Sequence, residues 1–213
     1  VYATGTVESS VTVRIAPERA ARLVALAADE GIKVKMGQTL ARLDDAELQA
    51  NLQEMRIRQL NAEQHVSRME KLYQRGATSI ELLEQARADA DAAKAVTQRF
   101  QVQVNSLTLF SPVDGEIIRR DGEIGDYIPV NQPVFYLRKA DTPLRLVVDV
   151  DEEDIPAVKP GQPVLITTDA FSGQVFHATV SDITPKGDAV TRSYRVRVIL
   201  PASVPFLIGM TAE

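Results

Sequence analysis

The sequence predicts an α+β, elongated, multidomain chain: a small β domain split by an inserted two-helix coiled-coil hairpin, followed by a small antiparallel β-barrel. Three observations carry this. First, the phrase Glu30-Gly-Ile-Lys-Val-Lys-Met-Gly-Gln-Thr-Leu-Ala-Arg-Leu43 is written again as Ile124-Gly-Asp-Tyr-Ile-Pro-Val-Asn-Gln-Pro-Val-Phe-Tyr-Leu137. Gly31, Val34, Gln38, Leu40 and Leu43 match Gly125, Ile128, Gln132, Val134 and Leu137 at identical offsets. Second, residues 46–75, between the two copies, contain neither Gly nor Pro. Third, from Pro143 onward apolar residues recur with a period of two.

In the first copy, from Val7 to Leu43, short apolar bursts are punctuated by Pro17, Gly31 and Gly37, the rhythm of small strands joined by tight turns. The second copy, Leu109 to Leu137, turns at Pro112, Gly115, Gly122, Gly125 and Pro129, so each half reads as about four short strands. The insert carries Leu48, Leu52, Met55, Gln59, Ala62, Val66, Met69 and Tyr73 at alternating steps of four and three, a heptad seam. Asp44 or Asp45 is placed to cap its start, and Gly76 to end it. The partner helix runs from Ser79, its expected cap, to about Asn105, with Leu83, Ala86, Ala90, Ala93, Thr97, Phe100, Val104 and Leu107 on its seam. So short a link makes the helices antiparallel. Ile57, Leu60 and Ile80 fall off the seam, which points to neighbouring hairpins. Beyond Pro143, Leu144, Leu146, Val148 and Val150 alternate with Arg145, Val147, Asp149 and Asp151, and further strands at Gly and Pro spacing predict the barrel. The expected division is 9–43 with 108–138 for the split domain, 44–107 for the hairpin, and 1–8 with 139–213 for the barrel.

Composition excludes several functions. A net charge of −5 without a basic cluster argues against nucleic-acid binding, which needs Lys and Arg gathered on one face. With no cysteine there is no disulfide, thiolate metal site or cysteine nucleophile. The two histidines, His65 on the first helix and His177 in a barrel strand, sit in segments that no pattern joins, and each reads as a solvated residue. Asp151, Glu152, Glu153 and Asp154 form a charge run at a turn, and Met36, Met55, Met69 and Met210 are scattered, two of them on the seam. Catalytic, cofactor-binding and metal-binding residues are therefore expected to be none. Chemistry concentrates instead at the hairpin tip. Arg68 and Leu72 lie one turn apart on one face and Ser79 opens the opposing helix, a set able to dock another helix end. The spacing fits equally well a local Arg68–Glu84 pair with Leu72 covering the turn.

The order of a split β repeat, an inserted hairpin and a following barrel resembles the periplasmic adaptor proteins, or membrane fusion proteins (HlyD-like), of tripartite efflux pumps. The tip matches the family's docking pattern of Arg, then Leu at four, Ser at eleven and Ala at eighteen, as Arg68, Leu72, Ser79 and Ala86, with Glu84 where an Asp is usual. The phrases Asp29-Glu-Gly, Val34-Lys-Met-Gly-Gln, Ser111-Pro-Val-Asp-Gly115 and Leu207-Ile-Gly-Met-Thr-Ala resemble its lipoyl and barrel signatures. One departure is local: Pro17 is followed by Glu18-Arg-Ala-Ala-Arg22 instead of an early glycine, which leaves the turn at Ala20–Arg22 open and raises the expectation of a bulge there. The resemblance implies a split lipoyl/biotinyl-like domain, no reaction, and no cofactor. It implies a periplasmic location with attachment to the inner membrane through a segment outside this chain, and a further membrane-proximal domain outside it as well. The implied partners are an inner-membrane transporter, most simply of the resistance-nodulation-division (RND) type, a TolC-like outer-membrane channel, and other copies in a ring of about six; nucleic acid is not among them. The implied docking residues are Arg68, Leu72, Ser79, Glu84 and Ala86. An ABC-type exporter is the alternative transporter. A lipoyl or biotinyl carrier domain of an enzyme is the distant alternative, since the hairpin occupies the turn where the modified lysine would stand, and Lys33 and Lys35 lie inside the first half.

Overall fold

The computed structural model describes residues 1–201 and 203–213. In chain order the strands are β1 (Gly5–Ser9), β2 (Thr12–Ile15), β3 (Ala21–Leu26), β4 (Lys33–Val34) and β5 (Thr39–Leu43), then helices α1 (Ala46–Gln74) and α2 (Ile80–Asn105). There follow β6 (Thr108–Phe110), β7 (Gly115–Arg120), β8 (Tyr127–Ile128), β9 (Phe135–Lys139), β10 (Leu144–Asp151), β11 (Pro163–Ile166), β12 (Phe176–Ile183), β13 (Ser193–Ile199) and β14 (Thr211–Ala212). The chain folds as two compact units, Arg14–Leu137 and Val1–Val13 with Arg138–Glu213.

In the first unit the two copies of the repeat exchange strands. One sheet has the order β2-β9-β7-β4 and the other β6-β5-β3-β8, so each contains strands from both halves. Strand β4 pairs with β7, β3 with β8, and β5 with β6, all antiparallel. Equivalent positions carry equivalent duties. Leu23 and Ile117, Leu40 and Val134, Leu43 and Leu137 are all fully buried. Gly37 and Asn131 stand at the same point of the repeat and both adopt positive φ, 81° and 62°. Each lets its turn close: the Gly37 N–H donates to the Ser111 carbonyl at 2.7 Å and the Asn131 N–H to the Pro17 carbonyl at 3.0 Å. At the segment after Pro17, Ala21 and Arg22 pair regularly with Ile128 and Tyr127. The bulge expected at Ala20–Arg22 lies instead at Val24, where the register against β5 shifts between Leu23 and Ala25. The cause is local to the strand, which must turn Leu23 into the core while half-burying Ala25 and Leu26 in succession.

A charged knot also joins the halves. Arg120, whose side chain is only 15% exposed, pairs through Nε with Asp29 at 3.0 Å and through an Nη with Glu123 at 3.1 Å, and donates to the Gly122 carbonyl. Its backbone N–H donates to Glu30 at 2.8 Å. Asp29 is held below its ordinary carboxylate range by the Glu30 backbone N–H first and by Arg120 next.

The hairpin seam forms as the heptad spacing requires. Leu52, Leu83, Ala86, Ala90, Val104 and Leu107 are buried, and Leu48, Met55, Gln59, Ala62, Val66, Met69, Ala93, Thr97 and Phe100 are half-buried. Two readings are corrected. Tyr73 is 44% exposed, because α1 ends one residue later. His65 is half-buried, because it follows Ala62 by three and precedes Met69 by four and so flanks the seam. At the start of α1 the Asp44 carboxylate accepts the Ala46 N–H at 3.2 Å, while Asp45 makes no side-chain cap.

In the second unit six strands run β11-β12-β13-β10-β1-β14. The sheet closes on itself where Thr167 and Glu213 exchange two backbone hydrogen bonds of 2.9 Å. Val7, Leu146, Val148, Val150, Ile166, Val180, Val196 and Val198 point inward, beside a cluster of Phe171, Phe176 and Phe206 whose ring centroids lie 4.8–6.0 Å apart. His177 is exposed on the outer face of β12, as alternation requires.

Phe135→Ala is expected to lower stability by about 3–5 kcal/mol, since its ring is fully buried in the exchanged core. The half-buried Phe100 should cost less when truncated, and urea denaturation followed by circular dichroism compares the two. Asp29→Asn tests the knot. Because the folded-state pKa of Asp29 is depressed, its contribution is complete at neutral pH and is lost as pH falls from about 4 through the lower folded value. The difference in thermal midpoint between parent and Asp29→Asn should therefore shrink as pH falls below about 4.

Candidate functional site

The tip of the hairpin is built by backbone termini that satisfy themselves. At the end of α1, Gly76 takes φ +70°, the Ala77 N–H reaches back to the Leu72 carbonyl at 2.8 Å, and the Gly76 N–H reaches the Tyr73 carbonyl at 2.9 Å. These are the two bonds of a Schellman closure, which only a residue tolerant of positive φ completes without strain. On the other side Ser79, in extended conformation, caps α2 by accepting the Leu82 N–H at 3.4 Å. Glu81 in the first turn is held below its ordinary range, chiefly by a hydrogen bond from Ser79 and next by its own backbone N–H. Lys71 lies in the last turn of α1, where a cation suits the negative end of the helix dipole.

These closures leave Arg68, Leu72, Ser79 and Glu84 exposed. Arg68 is exposed, and among the described residues it makes neither an ion pair nor a side-chain hydrogen bond; Glu84 is likewise exposed and unpaired, so the local Arg68–Glu84 pair does not form. Leu72 is 38% exposed. Arg68 and Leu72 share one face of α1, and Ser79 opens α2 across the turn. Ala86 does not join them at the surface. It is buried in the seam at 2% exposure, where its methyl group lets α1 and α2 approach. Two exposed apolar side chains at the tip escape the sequence reading, Tyr73 and Leu82, the latter at 58%. Their only signal was position: one is the last seam residue before the turn, the other the residue whose N–H Ser79 caps.

Among the described residues no group of His, Asp and Glu could hold a metal ion, and no helix is long and apolar enough to cross a membrane. A cavity of about 700 Å³ in the barrel unit is lined chiefly by Val148, Val150, Val164, Val180, Val196 and Val198. Lys33 lies in β4, paired in register with Glu116, and Lys35 in the turn that follows.

A strand-exchanged β domain that extends an antiparallel helical hairpin, with a six-stranded antiparallel barrel in the same chain, defines the membrane fusion class of adaptor proteins. Residues 11–138 match the family described as the RND MFP barrel-sandwich hybrid domain, and residues 144–213 match the CusB-like β-barrel domain. The chain belongs to the RND-type membrane fusion protein family. Among curated relatives, it is 26% identical over 215 residues to the pyoverdine export membrane fusion protein PvdR of Pseudomonas aeruginosa, covering 87% of this chain and 55% of that protein. It is 25% identical over 216 residues to the multidrug resistance protein MdtA of Escherichia coli, covering 91% and 52%. Among solved structures, the MacA–MexA chimeric protein containing the Pseudomonas aeruginosa MexA α-hairpin domain superposes with a TM-score of 0.83 at 25% identity, covering 100% of this chain and 78% of that one. The chain spans about half the length of PvdR and of MdtA.

Ser79→Ala removes the cap and should destabilise α2 by about 1 kcal/mol. In the same variant the Glu81 carboxyl should titrate higher, toward its ordinary range, because its largest lowering partner is gone; carbon-detected NMR titration reads this directly.

Proposed function

We propose that this chain is the periplasmic adaptor part of a tripartite efflux pump, joining an inner-membrane RND transporter to a TolC-like outer-membrane channel. It performs no reaction and needs no cofactor. Its working segments are the split domain (9–43 with 108–138), the hairpin (44–107) and the barrel (1–8 with 139–213). The observation that carries the reading is the tip: an unpaired Arg68 and an exposed Leu72 at the end of a two-helix hairpin, in a chain of the membrane fusion family. A helix end that presents a desolvatable apolar knob beside a free cation and a free carboxylate, Glu84, is suited to another protein's helix ends, where each charge finds a partner. Arg68, Leu72, Ser79 and Glu84 supply this surface, with Ser79 fixing the geometry of the turn, and Ala86 supports it from the seam.

The RND transporter is preferred over an ABC-type exporter because the family match over residues 11–138 is to RND membrane fusion proteins. Association with further copies, in a ring of about six, is supported by Ile57 and Leu60, each 53% exposed, and Val102, 62% exposed, which lie off the hairpin's own interface.

Arg68→Asp and Leu72→Asp should each abolish cross-linking of the adaptor to the outer-membrane channel while leaving helical content and thermal midpoint near those of the parent. Undiminished cross-linking in both variants would remove the tip from the docking surface.

A further inference from the structure

The seam of the hairpin is poor at fixing how far one helix slides along the other. Toward the tip, α2 offers Leu83 and then Ala86, Ala90 and Ala93 to α1, and beyond the single leucine the methyl groups make shallow knobs that hold the spacing loosely. The surface there sinks into an open depression of about 300 Å³ lined by Glu63, Val66, Arg87, Ala90 and Asp91. Three polar contacts cross between the helices among the described residues. Arg56 donates to Gln101 at 2.6 Å, and the Thr97 hydroxyl to the Met55 carbonyl at 3.2 Å; both lie nearer the base. Only the third, Arg87 to Glu70 at 2.8 Å, lies in the tip half.

We propose that Glu70 and Arg87 are the positioning pair of the docking tip: their ion pair sets the register and spacing of α1 against α2, so that Arg68 and Leu72 stand in fixed alignment with Ser79 and Glu84. This rests on the docking reading above. Glu70 sits two residues from both Arg68 and Leu72, and Arg87 three from Glu84, so the pair fixes the sites on both helices at once. Being half-exposed on both sides, it contributes little to overall stability. Its effect is on alignment. A small slide of α2 against α1 separates the two groups, while the shallow alanine positions beside them resist it little. Arg87 is also the sole cation on the wall of the depression, facing Glu63 and Asp91 as well as its partner, so reversing its charge gathers carboxylates there.

The chain has no cysteine, so Lys71→Cys and Leu82→Cys, both exposed and outside the docking set, can carry spin labels without background. Double electron–electron resonance on the whole chain should give one narrow tip distance. Arg87→Glu should shift or broaden it with helical content unchanged, Arg87→Gln should do so more weakly, and Glu70→Arg with Arg87→Glu should restore it. Cross-linking to the outer-membrane channel should fall and recover in parallel. An unchanged distance in Arg87→Glu and Arg87→Gln overturns the proposal, as does a displaced distance with undiminished cross-linking. The distance is read with no channel present, so it is separate from the docking reading, which fails instead if cross-linking survives both Leu72→Asp and Arg68→Asp.

Discussion

Strand exchange between the two copies of the repeat is the constraint from which the rest follows. Because β4 pairs with β7, β8 with β3, and β6 with β5, neither copy has a complete sheet of its own. Each exposes unpaired strand edges until the other arrives, and buried backbone groups without partners are costly. The core records the same dependence: Leu23, Leu40 and Leu43 from one copy and Ile117, Val134 and Leu137 from the other are all fully buried. Both ends of the hairpin are thereby tied. Strand β5 leads into α1, β6 follows α2, and these two strands are bonded to each other. A hairpin whose feet are fixed in one sheet has a defined base, and any imprecision is passed to its far end.

At that far end the protein satisfies its backbone locally and leaves side chains free. Gly76 closes α1, Ser79 opens α2, and Glu70 engages Arg87, so no terminal carbonyl or amide recruits Arg68 or Glu84. The same logic appears in the β domain with the opposite result. There Arg120 is drawn inward and saturated by Asp29, Glu123 and the Gly122 carbonyl, which makes it a clasp. Similar charged residue types thus serve opposite purposes according to whether the surrounding backbone needs them.

Much of this was readable from residue order, and the reasons are physical. The heptad spacing dictates a seam because side chains three and four apart share a helical face, and Leu52, Leu83, Ala86 and Ala90 fall where that rule puts them. The doubled glycine phrase marks equivalent turns, down to the shared positive φ of Gly37 and Asn131. What stayed hidden concerns partners. Period-two alternation says which face of a strand is buried but not which strand lies beside it, so the exchange between copies, the bulge at Val24 and the Thr167–Glu213 closure had no local signature. At the tip, the pattern could list Arg68, Leu72, Ser79, Glu84 and Ala86, but not that Ala86 turns inward or that Glu70 pairs with Arg87 across the seam. Tyr73 continues the heptad in sequence, yet the helix ends before a partner can cover it.

The position of the hairpin between β5 and β6 also governs the order of assembly. Those strands are separated by the whole of α1 and α2, and joining them directly would close a loop of roughly 65 flexible residues. Helices form in about a microsecond from local contacts, far faster than distant strands find each other. Once α1 has folded back on α2, the effective gap between the strands is a few residues, which lowers the closure cost by about 2 kcal/mol on logarithmic scaling. The insert that interrupts the β domain thus lowers the entropic cost of joining its two halves: a formed hairpin holds the ends of β5 and β6 side by side.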